Sequence, residues 1–228
     1  MINIDKENFL KQCKDRDFVE NTVKNFHKLY YYSSAYKGTW KDMYWLGVPI
    51  QKTPMDCFVY QELINNIKPD YIIETGTKNG GSALFFATIC DAINHGNVIT
   101  VDVDKNENLP HHERIIYLTG SSTDSEIINF IKDIIDNKKV LVILDSDHSK
   151  EHVLKELKIH SNFVSIGSYL IVEDTNICGF PVVGTEAKEG PFEAVVEFMD
   201  NNKNFIIDRE CEKFYLTFAP CGFLKRIE

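Results

Sequence analysis

The sequence predicts an α/β fold, in which a doubly wound, mostly parallel sheet ends in an antiparallel edge near the C-terminus. Apolar runs of strand length alternate with segments whose apolar residues recur at helical spacing, as in repeated strand–helix–strand units. The run 139–145 is apolar between its charged ends, which suits a strand buried on both faces of a parallel sheet. Two further apolar runs, 205–207 and 214–218, follow the last predicted helix and are expected to close the sheet.

The predicted elements follow one another from residue 53 onwards. Thr53 and Pro54 mark the start of a helix, because threonine is a good N-cap and proline suits the first helical position. Residues 43–52, before it, are expected to form an irregular arm, since glycine and proline interrupt them. Strands are then predicted at 71–74, 97–102, 114–120, 139–145 and 168–174, and helices at about 83–89, 124–136, 150–159 and 191–199.

Length and composition indicate one folded domain with an N-terminal extension. At 228 residues the chain fits one large domain, and we place a helical and aromatic extension at 1–42 and the main domain at 43–228. A net charge of −9 argues against nucleic acid as a partner. No apolar run has membrane-spanning length and the N-terminus lacks a signal-peptide pattern, so we expect a cytoplasmic protein without a membrane partner. The six cysteines include no C-x-x-C pair, which favours buried thiols over zinc ligands or disulfides.

The stretch 71–82 is the feature around which the chain is organised. An apolar strand ends at Glu74, and Gly76 and Gly80 precede an apolar segment of helix length. Glycine lacks a Cβ where the backbone must bend or approach a ligand, and the helix N-terminus offers free N–H groups. One interpretation is a site for a small polar ligand, and the other is a tight turn without one. The glycine spacing matches neither the dinucleotide motif nor the phosphate loop, which argues against nicotinamide and nucleoside triphosphate cofactors.

Carboxylates directly follow four of the predicted strands. They are Glu74, Asp102, Asp145 with Asp147, and Glu173 with Asp174. Because the carboxyl ends of parallel strands meet at one edge of a sheet, these acids should line one crevice. Such a cluster needs cations or hydrogen-bond donors, since an unpaired buried carboxylate is costly. Asp102 is placed to accept hydrogen bonds from a ribose, and hydrogen bonding within the loops at the sheet edge is the alternative.

Three of these acids predict a metal site. Asp147, Glu173 and Asp174 suit Mg²⁺, which takes oxygen ligands and keeps positions open for water or substrate. Asp145 competes with Asp147 as a ligand. The alternative to a metal site is an acidic loop neutralised by lysines.

Two basic side chains beside these acids are candidate general bases. His148 or Lys150 could take a proton from a hydroxyl that the metal has acidified. Each has a structural alternative, with Lys150 as a solvated residue of the first helical turn and His148 as a hydrogen-bonding cap.

Several long stretches carry a family resemblance. They are 45–52, 73–83, 144–154, 167–175 and 213–214. From about residue 43 to its end, the chain resembles the cephalosporin hydroxylase-like and rhamnosyl O-methyltransferase family, within the class I S-adenosylmethionine-dependent methyltransferases. The resemblance implies a Rossmann-like sheet and S-adenosylmethionine (SAM) as a cofactor.

The resemblance also implies roles for individual residues. Around the methionine part of SAM would lie Glu74, Gly76, Lys78, Gly80 and Ser82. Asp102 would hold the ribose, Gly120, Ser121 and Ser122 would border the adenine, and Asp145 is grouped with these cofactor residues.

The stretch 147–150 is also similar to the Asp-x-x-Lys motif of metal-dependent catechol-type O-methyltransferases. In those enzymes the Asp binds Mg²⁺ and the Lys is the base, which implies these roles for Asp147 and Lys150. The pair Glu173–Asp174 corresponds to an Asp-Asn pair there, so this chain carries one carboxylate more and its site is more negative.

These observations predict a Mg²⁺- and SAM-dependent O-methyltransferase that acts on a hydroxyl of a sugar or a glycosylated natural product. The loop 179–190, with Phe180, Pro181 and Glu186, and the tyrosines within 29–36 are expected to shape the acceptor pocket. The tyrosines could instead pack against the domain or form a subunit contact in a homo-oligomer. The alternative function is a non-catalytic SAM-binding or interaction protein of a biosynthetic assembly.

Overall fold

The fold is a seven-stranded sheet with helices packed on both faces. The computed structural model describes residues 11–33, 38–183 and 188–228. The strands are β1 (Tyr44–Trp45), β2 (Val48–Pro49), β3 (Tyr71–Thr75), β4 (Asn97–Asp102), β5 (Ile115–Thr119), β6 (Val140–Leu144), β7 (Tyr169–Val172), β8 (Phe205–Ile207) and β9 (Phe223–Arg226). The helices are α1 (Arg16–Tyr32), α2 (Pro54–Ile67), α3 (Gly81–Ala92), α4 (Ser125–Ile134), α5 (Lys150–His160) and α6 (Pro191–Asn201).

The strand order is β5-β4-β3-β6-β7-β9-β8. Strands β3 to β7 pair in parallel, whereas β9 pairs antiparallel with both β7 and β8. The chain runs outward from β3 to β5 and then returns to start β6 on the other side of β3. A crevice therefore opens at the carboxyl ends of β3 and β6, where open α/β sheets bind ligands. The predicted fold class, including the antiparallel C-terminal edge, is confirmed.

The core lies on the two faces of the sheet. On one face, α2 and α3 contribute fully buried Ile64 and Phe86; on the other, α4 and α5 contribute Ile131 and Leu157. Every residue of β6 is buried, because this strand is covered on both faces. No described helix is both long and apolar enough to cross a membrane.

The expectation of a strand at 214–218 is wrong, and the last strand of the chain is β9, which lies between β7 and β8. Tyr215 has a positive φ of 66°, which a strand does not allow. The Phe218 N–H donates to the Asp56 carboxylate at 2.9 Å, so this backbone group bonds a side chain and not a neighbouring strand. The predicted irregular arm at 43–52 also differs from expectation, because β1 and β2 pair in it as a short antiparallel hairpin.

The start of α2 agrees with the sequence signal. The Thr53 hydroxyl accepts from the N–H groups of Met55 and Asp56 at 3.1 and 3.3 Å. We expect Thr53→Ala to lower the free energy of unfolding by about 1 kcal/mol, because two N–H groups at the helix start lose their acceptor. Urea unfolding measures this loss. The matched Thr53→Ser variant keeps the acceptor oxygen and should recover most of the stability, and equal losses in the two variants would contradict the capping role.

The first described helix, α1, docks on the loops at the carboxyl edge of the sheet. Its His27 is 3% exposed and stacks on Phe218, with ring centroids 5.8 Å apart. The Asn176 side-chain amide lies 2.9 Å from His27 Nε2, so it donates to a neutral imidazole. Near the end of the helix, the Val183 N–H donates to the Tyr32 hydroxyl at 2.6 Å. The helix is thus fixed to the segment that follows β7.

The docking of α1 should depend on pH. Burial lowers the pKa of His27 from 6.5 to about 4, so the neutral form is favoured in the folded protein. The corresponding stability is fully present above pH 6.5 and is lost as the pH falls through 4, with a limit of about 3 kcal/mol. We expect the wild type to lose more stability than His27→Gln between pH 7 and pH 4, measured by urea unfolding at each pH. Parallel pH profiles for the two proteins would rule this out.

Candidate functional site

A cavity of about 610 Å³ opens at the carboxyl edge of the sheet. It is bounded by the turn after β3, the ends of β4 and β6, the segment after β7, and residues from α1 and the β1–β2 arm. Ten of the residues predicted for the site line it: Gly76, Lys78, Ser82, Asp102, Gly120, Ser122, Asp145, Asp147, His148 and Asp174. The carboxyl edge therefore brings most of the predicted residues to one space.

The glycine turn is built around close backbone contacts. Gly76 has φ of 90°, and a Cβ on it would lie 1.8 Å from the Asp145 carbonyl oxygen. Gly80 has φ of 73° and caps α3, and a Cβ there would lie 2.8 Å from Pro110. At Gly81 a Cβ would lie 2.2 Å from the Pro49 carbonyl oxygen, which brings the hairpin arm onto the start of α3. These glycines are required by contacts within the chain, and they leave the α3 N-terminus facing the cavity.

Asp102 fixes the turn that follows β3, which lines the cavity. Its carboxylate accepts from the N–H groups of Lys78 and Asp104, at 2.8 and 3.0 Å. The hydrogen bonding within loops that the sequence left as an alternative is thus present. Asp102 also lines the cavity, and each carboxylate oxygen can accept more than one hydrogen bond, so a ligand there could still bond it.

Glu74 lies beneath the cavity and is fully buried. Its Oε2 accepts from the Thr100 hydroxyl at 2.7 Å, and its Oε1 has no hydrogen-bond partner among the described residues. Burial raises the pKa of Glu74 to about 7, against the opposing effects of Lys52 and Ser82. Glu74 therefore shapes the floor through Thr100 and Ser82 and does not line the cavity itself.

The turn after β5 is held by histidines of α5. The Ser122 carbonyl accepts from His160 Nε2 at 2.9 Å, and its hydroxyl lies 3.3 Å from His152 Nε2. Gly120 and Ser122 face the cavity, whereas the Ser121 hydroxyl contacts Thr123 at 3.2 Å. Two of the three residues predicted to border an adenine therefore reach the cavity.

Asp145, His148 and Asp174 form a compact cluster on the cavity wall, with one donor atom of each within 4.8 Å of the others. His148 Nε2 lies 3.2 Å from an Asp174 oxygen and 3.5 Å from an Asp145 oxygen. Neither contact has hydrogen-bond geometry, so Nε2 is a buried nitrogen without a hydrogen bond in the described part of the chain. A buried ring nitrogen that lies between two carboxylates without a hydrogen bond fits a site that takes a cation or a proton.

The ionisation of this cluster is strongly coupled to its surroundings. Burial opposes a charge on His148, yet Asp174 and Asp145 raise its pKa to about 9. Burial also opposes a charge on Asp145, but Lys52 and His148 lower its pKa to about 2. Burial raises the pKa of Asp174, and the nearby Asp145 adds to the rise.

Lys52 is the residue that the sequence analysis missed. It is 4% exposed, and its Nζ lies 2.5 Å from Asp145 and 2.7 Å from Glu173. The Tyr60 hydroxyl donates to the same Glu173 carboxylate. Lys52 is the cation that an acid cluster requires. The sequence indicated that some cation was needed, but nothing near Lys52 in sequence pairs it with Asp145 or Glu173.

Three predicted site residues lie apart from the cluster. Glu173 is 3% exposed and is engaged by Lys52 and Tyr60 below the cavity. Asp147 is exposed and accepts from the Ser149 N–H at 2.7 Å. Lys150 Nζ lies 3.1 Å from Glu189 and 3.3 Å from Glu197, and those acids raise its pKa.

The loop predicted to shape the acceptor pocket is partly described. Phe180 stacks on Phe192 of α6, with ring centroids 4.0 Å apart. Glu186 lies outside the described residues. Ile177, two residues before this loop, lines the cavity together with Tyr31 and Trp40, so one of the N-terminal tyrosines reaches the site.

Comparisons with known proteins agree with this architecture. The family model described as rhamnosyl O-methyltransferase/CmcI matches residues 37–227. A rhamnosyl O-methyltransferase of Mycobacterium tuberculosis (strain ATCC 25618 / H37Rv) is 37% identical over 212 residues, which cover 90% of this chain and 84% of the relative.

Two solved structures are similar in fold. A structure of CmcI with Mg and SAM superposes with a TM-score of 0.63 at 20% identity, covering 82% of this chain and 78% of that one. The apo structure of CalS11, a TDP-rhamnose 3'-O-methyltransferase, gives a TM-score of 0.51 at 13% identity, with 75% and 76% of the two chains covered. The fold and the enzyme class predicted from the sequence are both confirmed, because the chain belongs to the rhamnosyl O-methyltransferase/CmcI family of O-methyltransferases.

Proposed function

We propose that this protein transfers a methyl group from SAM to a hydroxyl of a sugar or a glycosylated natural product, with the help of Mg²⁺. Relatives named rhamnosyl O-methyltransferases support the sugar acceptor, and a CmcI structure with Mg and SAM supports the two cofactors. The observation that carries the proposal is the shared cavity, in which a glycine turn and Asp102 face the same space as the Asp145–His148–Asp174 cluster.

The cofactor would occupy the side of the cavity formed by β3, β4 and β5. Gly76, Lys78 and Ser82 would contact its methionine part, where the α3 N-terminus supplies N–H groups suited to a carboxylate. Asp102 would accept from the ribose hydroxyls, and Gly120 and Ser122 would border the adenine. Glu74 and Gly80 would not contact the cofactor. Glu74 would support the floor of the cavity, and Gly80 would shape the turn before α3.

The acid cluster fits Mg²⁺ by the chemistry of its donors. Mg²⁺ takes oxygen ligands, so the carboxylates of Asp145 and Asp174 would hold it, and Glu173 would support the site from beneath through Lys52. Asp147 is the other candidate from the sequence, and its exposed carboxylate is already used by the Ser149 N–H. Asp145 belongs to the cluster with Asp174, whereas Asp147 lies apart from it, so the geometry favours Asp145 over Asp147 as a ligand.

His148 suits the role of general base better than Lys150. Its side chain lines the cavity and is 37% exposed, while the Lys150 ammonium is held by two glutamates and Lys150 does not line the cavity. The charges of Asp145 and Asp174 raise the pKa of His148 to about 9. With those charges neutralised, the imidazole would be uncharged at neutral pH and able to accept a proton.

The reaction then depends mainly on positioning. When bound, SAM supplies the methyl group and Mg²⁺ lowers the pKa of the acceptor hydroxyl. The cavity residues would position the acceptor, and His148 would take the proton that its hydroxyl releases. The buried Lys52 keeps Asp145 ionised and oriented throughout.

The test combines binding with turnover. Calorimetry with SAM measures cofactor binding, and release of S-adenosylhomocysteine from a panel of deoxysugar glycosides, with Mg²⁺ or with EDTA, measures the reaction. We expect SAM binding, and turnover that requires a metal. Cofactor binding without turnover of any acceptor would support a non-catalytic SAM-binding protein, and no binding at all would refute the proposal.

A further inference from the structure

The cavity has an aromatic side that the family assignment does not explain. Tyr31 of α1 and Trp40 both line it, and they are called the aromatic wall below. Their rings stack with centroids 5.3 Å apart and 24° between their planes, and both are half-buried. Tyr31 precedes the region that the family model matches, so the match does not assign it a role.

The aromatic wall is held in a defined position by the packing of α1. Phe218 supports both rings edge-on, at centroid distances of 5.9 Å to Tyr31 and 6.2 Å to Trp40. One turn before Tyr31, His27 stacks on Phe218 and accepts a hydrogen bond from the Asn176 side chain. Rigid aromatic side chains fixed in this way lose little entropy when a ligand packs on them.

The position of the wall relative to the acid cluster limits what can bind between them. Asp174 and His148 line the same cavity as Tyr31, and burial and the charge of Asp174 both raise the pKa of the Tyr31 hydroxyl. A ligand in this space therefore meets an apolar aromatic surface on one side and charged oxygen and nitrogen atoms on another. A sugar ring has matching surfaces, since its C–H face is apolar and its hydroxyl edge is polar.

We infer that the aromatic wall is the acceptor-sugar subsite, in which Tyr31 and Trp40 pack against the C–H face of the sugar whose hydroxyl is methylated. This inference rests on the proposed function and assigns two specificity residues to it. Helix α1 is then a part of the acceptor site, and its role is to carry Tyr31 to the cavity.

Leucine and phenylalanine substitutions test the wall directly. Tyr31→Leu and Trp40→Leu keep apolar bulk and remove the ring, whereas Tyr31→Phe and Trp40→Phe keep an aromatic ring. Phe130→Leu, on α4 and 50% exposed outside the cavity, is the matched control. The readouts are kcat and KM for methyl rhamnoside, SAM affinity by calorimetry, and the melting temperature of each variant.

We expect KM for the glycoside to rise about tenfold in the leucine variants, because ring packing of this kind contributes on the order of 1 kcal/mol. In each phenylalanine variant KM should rise less than in the matching leucine variant, because a ring remains to pack on the sugar. The Phe130→Leu control should stay within about twofold of the wild type, and SAM affinity should be unchanged in all variants. If KM were unchanged in the leucine variants, or if SAM affinity weakened as much as KM rose, the aromatic wall would not be the acceptor-sugar subsite. The proposed function would remain intact in either case. Wild-type turnover of planar phenols without any glycoside would overturn the sugar assignment. A wild-type protein that binds no SAM would overturn the proposed function, and the wall with it.

Discussion

Replacing Lys52 with methionine should lower the free energy of unfolding by about 3–5 kcal/mol and abolish most of the activity. The lysine is 4% exposed and is the cation that two carboxylates share, at 2.5 Å from Asp145 and 2.7 Å from Glu173. Methionine fills a similar volume but leaves the buried Glu173 charge uncompensated. Urea unfolding and the rate of S-adenosylhomocysteine release measure the two effects.

Two further variants show whether the stability loss in Lys52→Met comes from the unpaired charge or from poorer packing. Lys52→Met leaves the Glu173 carboxylate buried without a cation. A second substitution, Glu173→Gln, removes that charge, so the double variant should recover much of the lost stability. Lys132→Met, on the exposed side of α4, is the control for the loss of a lysine and should change stability by less than about 0.5 kcal/mol. If Lys52→Met cost no more than Lys132→Met, the buried cation would not be what holds the strand ends together.

Much of the site could be predicted from the sequence because its acids directly follow parallel strands. Each acid after a parallel strand, such as Asp102 or Asp174, must reach the same edge whatever the details of packing, so the crevice could be predicted. The cap at Thr53 and the turn at Gly76 are equally local, since each depends on a few neighbouring residues.

The features of the fold and site that the sequence did not predict depend on contacts between distant segments. Lys52 lies 93 residues before Asp145 in sequence, and no local pattern announces that pair. The segment 214–218 has a strand-like composition, but the bond from the Phe218 N–H to Asp56 and the rings of α1 decide its conformation. Asp145 and Asp147 follow the same strand, and beyond the strand end the alternation of side chains no longer says which one joins His148 and Asp174.

Removing the Asp174 carboxylate should reduce methyl transfer by on the order of 100-fold or more while leaving the fold stable. Asp174 has φ of 54°, so Asp174→Gly removes the side chain without adding backbone strain. In the proposed reaction this carboxylate holds Mg²⁺ beside the acceptor. Burial raises the pKa of Asp174 and the like charge of Asp145 adds to the rise, against the opposing charge of His148, so the ionised carboxylate adds little to stability and its loss should change the melting temperature only slightly.

Asp147→Gly is the matched control for this loss, because it removes a carboxylate from the same cavity rim with the same replacement. If Asp145 and Asp174 are the ligands, Asp147→Gly should keep activity within a few-fold of the wild type, since its carboxylate only bonds the Ser149 N–H. Turnover as a function of Mg²⁺ concentration separates the two assignments, because only the loss of a ligand raises the concentration needed for half-maximal rate. An Asp147→Gly protein as impaired as Asp174→Gly, with the same shift in metal requirement, would restore Asp147 as the ligand. The position of His148 would then have to be explained by its ion pairs alone.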